Sequence, residues 1–436
     1  MNYEQTLYYL YSQLPMYQRI GAAAYKKDLQ RTLELDKYFS HPHKKFKSIH
    51  IAGTNGKGSV AHTLASILQE AGYKVGLYTS PHYLDFRERI RVNGQMIEKQ
   101  FVIDFVQQHR DFFQSLRPSF FELTVAMAFQ YFAEREVDYA VVEVGMGGRL
   151  DSTNIITPLV SVITNIGFDH KQFLGNTLLE IAREKAGIIK NNIPVVIGQM
   201  RAEIQEVFLR KTTEKNAPIF LAANNYSVGN TYLTVDSKLA FSVYSRGEKV
   251  FNDMKFGLLG QYQRYNIPVI LQTVDVLKQF YSLQITIKAI YDGLEKVVEN
   301  TGIIGRWQII SHKPLIVCDS AHNQDGIQQV IEQIKTQSYD KLFIIFGVVN
   351  DKDLNSILRF LPSKAHYYFV RASVDRAMPS KDLQRAAANY GLSGESFETV
   401  EQAIEKARAM AMEKDMIFVG GSTFVVADAL RYFNEK

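Results

Sequence analysis

One cysteine, Cys318, and one tryptophan, Trp307, occur in 436 residues. A lone cysteine excludes an intrachain disulfide and a cysteine-built zinc site. Such low cysteine use predicts a cytoplasmic protein. No apolar run approaches the ~20 residues that a membrane helix needs. Met1-Asn2-Tyr3-Glu4-Gln5 has neither a basic n-region nor an apolar h-region, so no signal peptide is expected. Charge of one sign is scarce as well: 50 Lys+Arg against 45 Asp+Glu leave +5. So small a bias suits anionic small molecules and makes no case for nucleic acid. Hydrophobic residues at 46% and charged residues at 22% exclude a largely disordered chain and a coiled-coil rod. The length predicts two or three domains.

What is present is an alternation of strand and helix patterns. Leu7, Leu10, Tyr11 and Leu14 recur at helical spacing, Pro15 and Gly21 break it, and 28–39 reads as a second helix. Strands are predicted at 47–52, 74–79, 138–144, 159–164 and 193–198. Helices are predicted at 60–71, 98–116, 121–133 and 177–190. This order argues for a parallel sheet. Residues 220–258 are polar and alternating, as in a small antiparallel element, and helical patterns return at 265–280 and 285–299. Asn300-Thr301-Gly302 reads as a hinge. Beyond it, strands at 315–319, 341–346, 366–370 and 416–419 alternate with helices at 326–335, 353–360, 380–390, 400–410 and 424–433. The fold class is therefore α/β in two domains. An N-terminal P-loop-type parallel-sheet ATPase domain takes 1–300, and a smaller C-terminal Rossmann-like α/β domain takes 301–436.

The strongest motif is Gly53-Thr54-Asn55-Gly56-Lys57-Gly58-Ser59, between a strand and a helix. Glycines let backbone N–H groups turn onto phosphate oxygens, the helix start adds positive potential, and Lys57 neutralises β/γ-phosphates. Gly58 intervenes between the lysine and the hydroxyl of Ser59, unlike the common phosphate-loop pattern. Glu143 ends a buried strand before Gly145-Met146-Gly147-Gly148, where open α/β sheets bind ligands. It reads equally as a Mg2+ ligand or as a strand-terminating acid. Asp169 and His170 follow another strand and are candidates to complete a metal shell. A lone histidine is more often structural. Ser80, in Thr79-Ser80-Pro81-His82, offers a hydroxyl to the same metal, although the segment alone reads as a turn. Asp319 and His322, in Cys318-Asp319-Ser320-Ala321-His322-Asn323, lie beyond a strand of the second domain. Several such loops in two α/β domains predict one site between them. Cys318 reads as a small core residue.

These loops, in this order, resemble the folylpolyglutamate synthase/dihydrofolate synthase family of the Mur ligase superfamily, over nearly the whole chain. Gly53–Ser59 resembles its phosphate loop, with Gly58 typical of the folate branch. Ser80-Pro81-His82 to Arg87-Glu88-Arg89-Ile90 resembles its mobile substrate loop, Phe120 to Thr124 a pterin-side helix start, and Glu184-Lys185-Ala186-Gly187-Ile188 the segment with a carbamylated lysine. The resemblance implies ATP-dependent ligation of L-glutamate to a reduced folate or to dihydropteroate, with Mg2+ and K+ as candidate cations, in a monomer. It implies Lys57, Glu143, His170 and Lys185 as the catalytic set. Thr54, Asn55, Gly56, Lys57, Gly58, Ser59, Asn266, Arg306 and Asp319 would bind ATP, the last two across a cleft. Ser80, Glu143 and His170 would hold metal. Pro81, Phe121, Glu122, Leu150, Asp151, Ser152 and His322 would line the substrate side. The choice of folate would involve the pteroate pocket and Gln13–Tyr25.

Four residues in three segments depart from that family's pattern: Tyr262 stands where it has His, Ser320 and Gln324 where it has Gly and Pro, and Trp307 where it has an aliphatic residue. All three segments bear on ATP affinity and glutamate preference. The rival readings are a Mur-type amino acid ligase acting on a cell-wall precursor, a P-loop regulatory NTPase, and a non-catalytic relative. Intact Lys57, Glu143, His170 and Lys185 argue against the last.

Overall fold

The computed structural model describes residues 1–15, 28–350 and 352–435. Gly21 and the part of Gln13–Tyr25 from Met16 onward lie outside the described residues. The chain forms two compact units: 1–257 with 263–303, and 258–262 with 304–436. The second unit thus takes in Leu258–Tyr262, a segment that a division at residue 300 leaves with the first.

The first unit is built on strands β1 (Lys47–Ala52), β2 (Val75–Tyr78), β3 (Ile90–Val92), β4 (Gln95–Met96), β5 (Tyr139–Glu143), β6 (Val160–Ile163), β7 (Val195–Ile197) and β8 (Ile219–Leu221). Their order across the sheet is β4-β3-β2-β5-β1-β6-β7-β8. From β2 to β8 neighbours run parallel, whereas β3 and β4 are antiparallel additions at one edge. β1 lies between β5 and β6, and Ile49 to Ala52 are wholly buried. A central parallel strand is covered on both faces, so it reads as a near-continuous apolar run. Helix Lys57–Glu70 follows β1 and is buried from Gly58 to Leu68, so it is a core helix rather than an amphipathic surface one. Strands β9 (Tyr226–Leu233), β10 (Leu239–Ser245) and β11 (Glu248–Phe256) form a separate antiparallel sheet, where the polar alternating stretch predicts one.

The second unit has strands β12 (Gln308–His312), β13 (Leu315–Asp319), β14 (Leu342–Phe346), β15 (His366–Val370), β16 (Gly394–Phe397) and β17 (Met416–Gly420). They are ordered β12-β13-β17-β14-β15-β16, and only β12 runs antiparallel to its neighbour.

The structure departs from the sequence reading in a few places. The helix predicted over 98–116 is two helices, Lys99–Gln108 and Arg110–Leu116, broken at His109. The His109 ring packs edge-on against Tyr38 and Phe39 and meets the Tyr38 hydroxyl at 3.1 Å, so tertiary contact sets the break. Helix Ala202–Glu214 and strands β3, β4, β8, β12 and β16 carry no predicted counterpart. No helix among the described residues is long and apolar enough to cross a membrane.

Candidate active site

The loop after β1 is stitched to the loop after β6. The Thr54 backbone N–H donates to the Asn165 carbonyl at 3.1 Å, and the Asn55 N–H to the Asn165 side-chain oxygen at 2.8 Å. The Thr54 hydroxyl accepts from the Gly167 N–H at 3.0 Å, and the Thr164 hydroxyl donates to the Asn55 carbonyl at 2.6 Å. Gly53 and Gly56 have φ of 151° and 86°. A Cβ on Gly53 would lie 1.8 Å from Thr164 Oγ1, and one on Gly56 2.2 Å from Asn266 Oδ1. Both positions therefore require glycine. Gly56 is the N-cap of helix Lys57–Glu70, and no side chain caps it. The first-turn N–H groups of a helix have no intrahelical acceptor, so an anion is their natural partner. Ser59, 1% exposed, accepts from Gln263 Nε2 at 3.2 Å, and Gln263 in turn accepts from Asn266 Nδ2 at 2.7 Å.

Two lysines reach the same carbonyl. Lys57 Nζ donates to the Gly53 and Thr54 carbonyls at 3.1 and 3.3 Å. Lys185 Nζ, from helix Leu178–Ala186, donates to the Gly53 carbonyl at 2.8 Å. Burial, and then the positive charge of Lys57, hold the Lys185 ammonium down to about 7, against the opposing pull of Asp169 and Asp151. Near neutral pH a large share of this amine is uncharged and nucleophilic.

Glu143 ends β5 with 4% exposure, and its Oε2 accepts from the Ser80 backbone N–H at 3.1 Å. The structure thus brings Ser80 and Glu143 together. His170 has φ 50°, and its N–H donates to Asp169 Oδ1 at 2.8 Å. Among the described residues no three His, Cys, Asp or Glu side chains converge as a metal site. The donor chemistry at Ser80 and Glu143, a carboxylate oriented by a backbone N–H beside a hydroxyl, still fits Mg2+. That ion takes one or two carboxylates and completes its shell with phosphate and water.

The substrate-side residues divide. Asp151 is locked: it accepts from Met146 N–H at 3.0 Å, Thr153 N–H at 3.0 Å and the Thr153 hydroxyl at 2.5 Å. Burial pushes its carboxyl up, and these donors oppose that shift. Glu122 is committed to a capping box with Ser119 at the start of helix Phe120–Glu134. Phe121 packs where a Cβ on Gly145 would sit, 2.4 Å from its ring. Leu150 is half-buried, Ser152 buried and Pro81 exposed.

Two histidines missing from the candidate set support these groups. His50, wholly buried in β1, meets Thr153 Oγ1 at 2.8 Å, and burial holds its imidazole down to about 3. His82 Nδ1 accepts from Arg89 Nε at 2.7 Å, so burial and that guanidinium keep it neutral. A histidine inside the apolar run Lys47–Ala52 was the one available signal for His50.

In the second unit Asp319 ends β13, 2% exposed. It accepts from the Tyr262 hydroxyl at 2.6 Å, the Trp307 N–H at 2.7 Å and the Ala321 N–H at 2.8 Å. Arg306 Nη1 donates to the Ser320 hydroxyl oxygen. His322 Nδ1 lies 2.9 Å from the Ser320 carbonyl. Asn323 caps the helix Gln324–Lys335.

The Mur ligase middle domain matches residues 51–273, and the Mur ligase glutamate ligase domain matches 305–423. The dihydrofolate synthase/folylpolyglutamate synthase of Bacillus subtilis is 34% identical over 413 residues, 92% of this chain and 94% of its own. The chain belongs to the folylpolyglutamate synthase/dihydrofolate synthase family. The family's folylpolyglutamate synthase from Lacticaseibacillus casei is 35% identical over 81% of each chain. Among solved members of the family, the Mycobacterium tuberculosis folylpolyglutamate synthase complexed with ADP superposes with a TM-score of 0.87 at 28% identity, covering 100% of this chain and 98% of that one. Escherichia coli FolC in complex with DHPP and ADP gives 0.85 at 27% identity, with the same coverage. The two-domain α/β architecture expected from the sequence is thus the family's.

Proposed function

We propose that this chain joins L-glutamate to the carboxylate of a folate-type acceptor in a reaction driven by ATP. The observation that carries the reading is the uncapped, glycine-built loop Gly53–Ser59 with Lys57 upon it, in a chain whose relatives bear that activity in their names. A carboxylate is a poor acyl donor because oxide would have to leave. Its oxygen instead attacks the γ-phosphorus of ATP, ADP departs, and an acyl phosphate forms. The amine of glutamate then attacks the acyl carbon, phosphate leaves with the bridging oxygen, and the amine loses a proton. The protein's share is positioning and charge neutralisation.

In this reading the first-turn N–H groups of helix Lys57–Glu70 receive the phosphates, and the Lys57 ammonium moves from the loop carbonyls to the β/γ-phosphates. Ser80 and Glu143 would hold one Mg2+, and His170 would stand at a second. Such an ion, when bound, would supply positive charge against the repulsion between the incoming carboxylate and the γ-phosphate. Neutral Lys185 attacks CO2: an N–C bond forms, a proton leaves the nitrogen, and the neutral amine becomes an anionic carbamate beside Lys57. K+ rests on resemblance alone. Asp151 shapes the acceptor side by fixing the turn Gly145–Leu150.

A substrate panel tests the proposal: dihydropteroate, tetrahydrofolate and methylene-tetrahydrofolate, each with ATP, Mg2+ and labelled glutamate, beside a uridine-nucleotide peptide. Label transfer to a pteroyl acceptor is expected. Transfer only to the uridine nucleotide favours the cell-wall rival, and phosphate release without any acceptor favours a regulatory NTPase.

A further inference from the structure

Three of the four departing residues, Tyr262, Trp307 and Ser320, meet around Asp319 and Arg306 in the second unit. Asp319 Oδ2 accepts from the Tyr262 hydroxyl at 2.6 Å and from the Trp307 N–H at 2.7 Å. The Trp307 backbone has φ 45° and Gly305 φ 71°, so the segment that carries Arg306 is bent through a conformation rare for a side-chain-bearing residue. The bend is held from two directions. Asp319 takes its Trp307 N–H. Ser320 donates to the Gly305 carbonyl through its hydroxyl at 3.1 Å and through its N–H at 3.2 Å. The Trp307 indole, 2% exposed, packs toward Phe418 with ring centroids 6.5 Å apart. The Arg306 guanidinium is aimed by Ser320, whose hydroxyl oxygen accepts from Nη1, and by the Gly305 carbonyl at 3.2 Å.

We propose that Tyr262 and Ser320 are positioning residues for the nucleotide. Tyr262 fixes the Gly305–Trp307 bend through Asp319, and Ser320 fixes the Arg306 guanidinium that the bend presents. The proposal rests on the reading of Arg306 and Asp319 as nucleotide contacts. A guanidinium already held in one geometry loses less freedom when its ligand arrives, so the effect falls on nucleotide affinity rather than on the chemical step.

The test uses the full-length chain and four variants: Tyr262→Phe, Tyr262→His, Ser320→Ala and Arg306→Ala. Measured are kcat, KM for ATP, and calorimetric Kd for the non-hydrolysable analogue β,γ-methylene-ATP. Tyr262→Phe is expected to raise KM and Kd by about 10-fold, the size of one lost hydrogen bond to a charged group, with kcat within about 2-fold. Tyr262→His, which keeps a donor, is expected to recover most of that affinity. Ser320→Ala is expected to raise both constants by about 3-fold to 10-fold. Unchanged Kd in Tyr262→Phe and Ser320→Ala overturns the proposal, as does a loss confined to kcat, or a histidine variant no better than phenylalanine. If Tyr262→Phe does not fold, the Ser320→Ala constants decide. Arg306→Ala separates the two layers. If it leaves analogue affinity intact, the nucleotide reading of Arg306 fails. If it weakens affinity while the Tyr262 and Ser320 variants do not, only the positioning role fails.

Discussion

Two loops occupy the same topological place in the two units and are built in opposite ways. Each follows the C-terminal end of a buried parallel strand, β1 or β13, and leads into a helix. After β1 the connection is glycine and backbone: Gly56 leaves its helix uncapped, and two lysines lie against the Gly53 carbonyl. After β13 the connection is side chain: Asn323 caps its own helix through the Gly326 N–H at 2.9 Å, and the Asp319 carboxylate is tied by three donors. The first loop leaves donors and positive potential for a ligand to use. The second spends its donors internally and stands as a finished support. Topology nominates both positions as sites, and the state of the helix start is what distinguishes them.

The largest expected effect breaks the first loop's chemistry. Lys57→Ala should lower turnover by about 1,000-fold or more with the fold intact by circular dichroism. Near-normal turnover would remove the phosphate assignment. Next, Lys185→Ala should lose about 100-fold and regain part of it with short-chain carboxylates but none with bicarbonate. In the unaltered protein, labelled CO2 should give a carbamate signal that fades as pH falls below about 7, because the amine is then protonated. Full activity in the alanine variant would end the carbamate role.

Gly56→Ala and Asn323→Ala sharpen the contrast. The first puts a Cβ 2.2 Å from Asn266 Oδ1 at φ 86°, and should raise KM for ATP at least about 10-fold, from local strain of about 1–3 kcal/mol. The second should lower stability by about 1 kcal/mol, read by denaturant titration, and leave KM for ATP alone. Were the cap variant to lose ATP affinity equally, the two loops would not differ in the manner described.

The last effect concerns pH. The unfolded His50 imidazole takes a proton near 6.5 and the folded one only near 3. The unfolded chain therefore binds more protons in that window, and stability falls as pH drops through it. His82 acts with the same sign. His50→Gln keeps a donor for Thr153 and should flatten the acid slope of the denaturation midpoint. An unchanged slope would mean that other groups govern it.

How much of this was legible in the sequence follows from how each residue is held. β1 and β15 carry their boundaries in the sequence because burial on both faces makes them near-continuous apolar runs. β4 has two residues and β3 three, too few to display any period. Helix Ala202–Glu214 buries only Ile204, Phe208 and Thr212, a thin stripe that passed unread. Glu143 announces itself by ending a strand, and Lys57 by opening the helix that follows one across a glycine-rich loop. The bond from Tyr262 to Asp319 spans 57 residues, and that from His50 to Thr153 spans 103. Nothing local in either partner names the other, so the departures of this chain could be noticed but not interpreted.

The five-residue visit of Leu258–Tyr262 to the second unit has a consequence for dissecting the protein. Gln333, 3% exposed, accepts from the Gln261 N–H at 2.7 Å and donates to the Leu259 carbonyl at 3.1 Å. Scission at residue 300 would strip both partners from that amide, and the Asp319 carboxylate would lose its phenol. A stand-alone carboxy-terminal fragment must therefore have its missing thread grafted back, by permuting the chain or by adding the pentapeptide in trans.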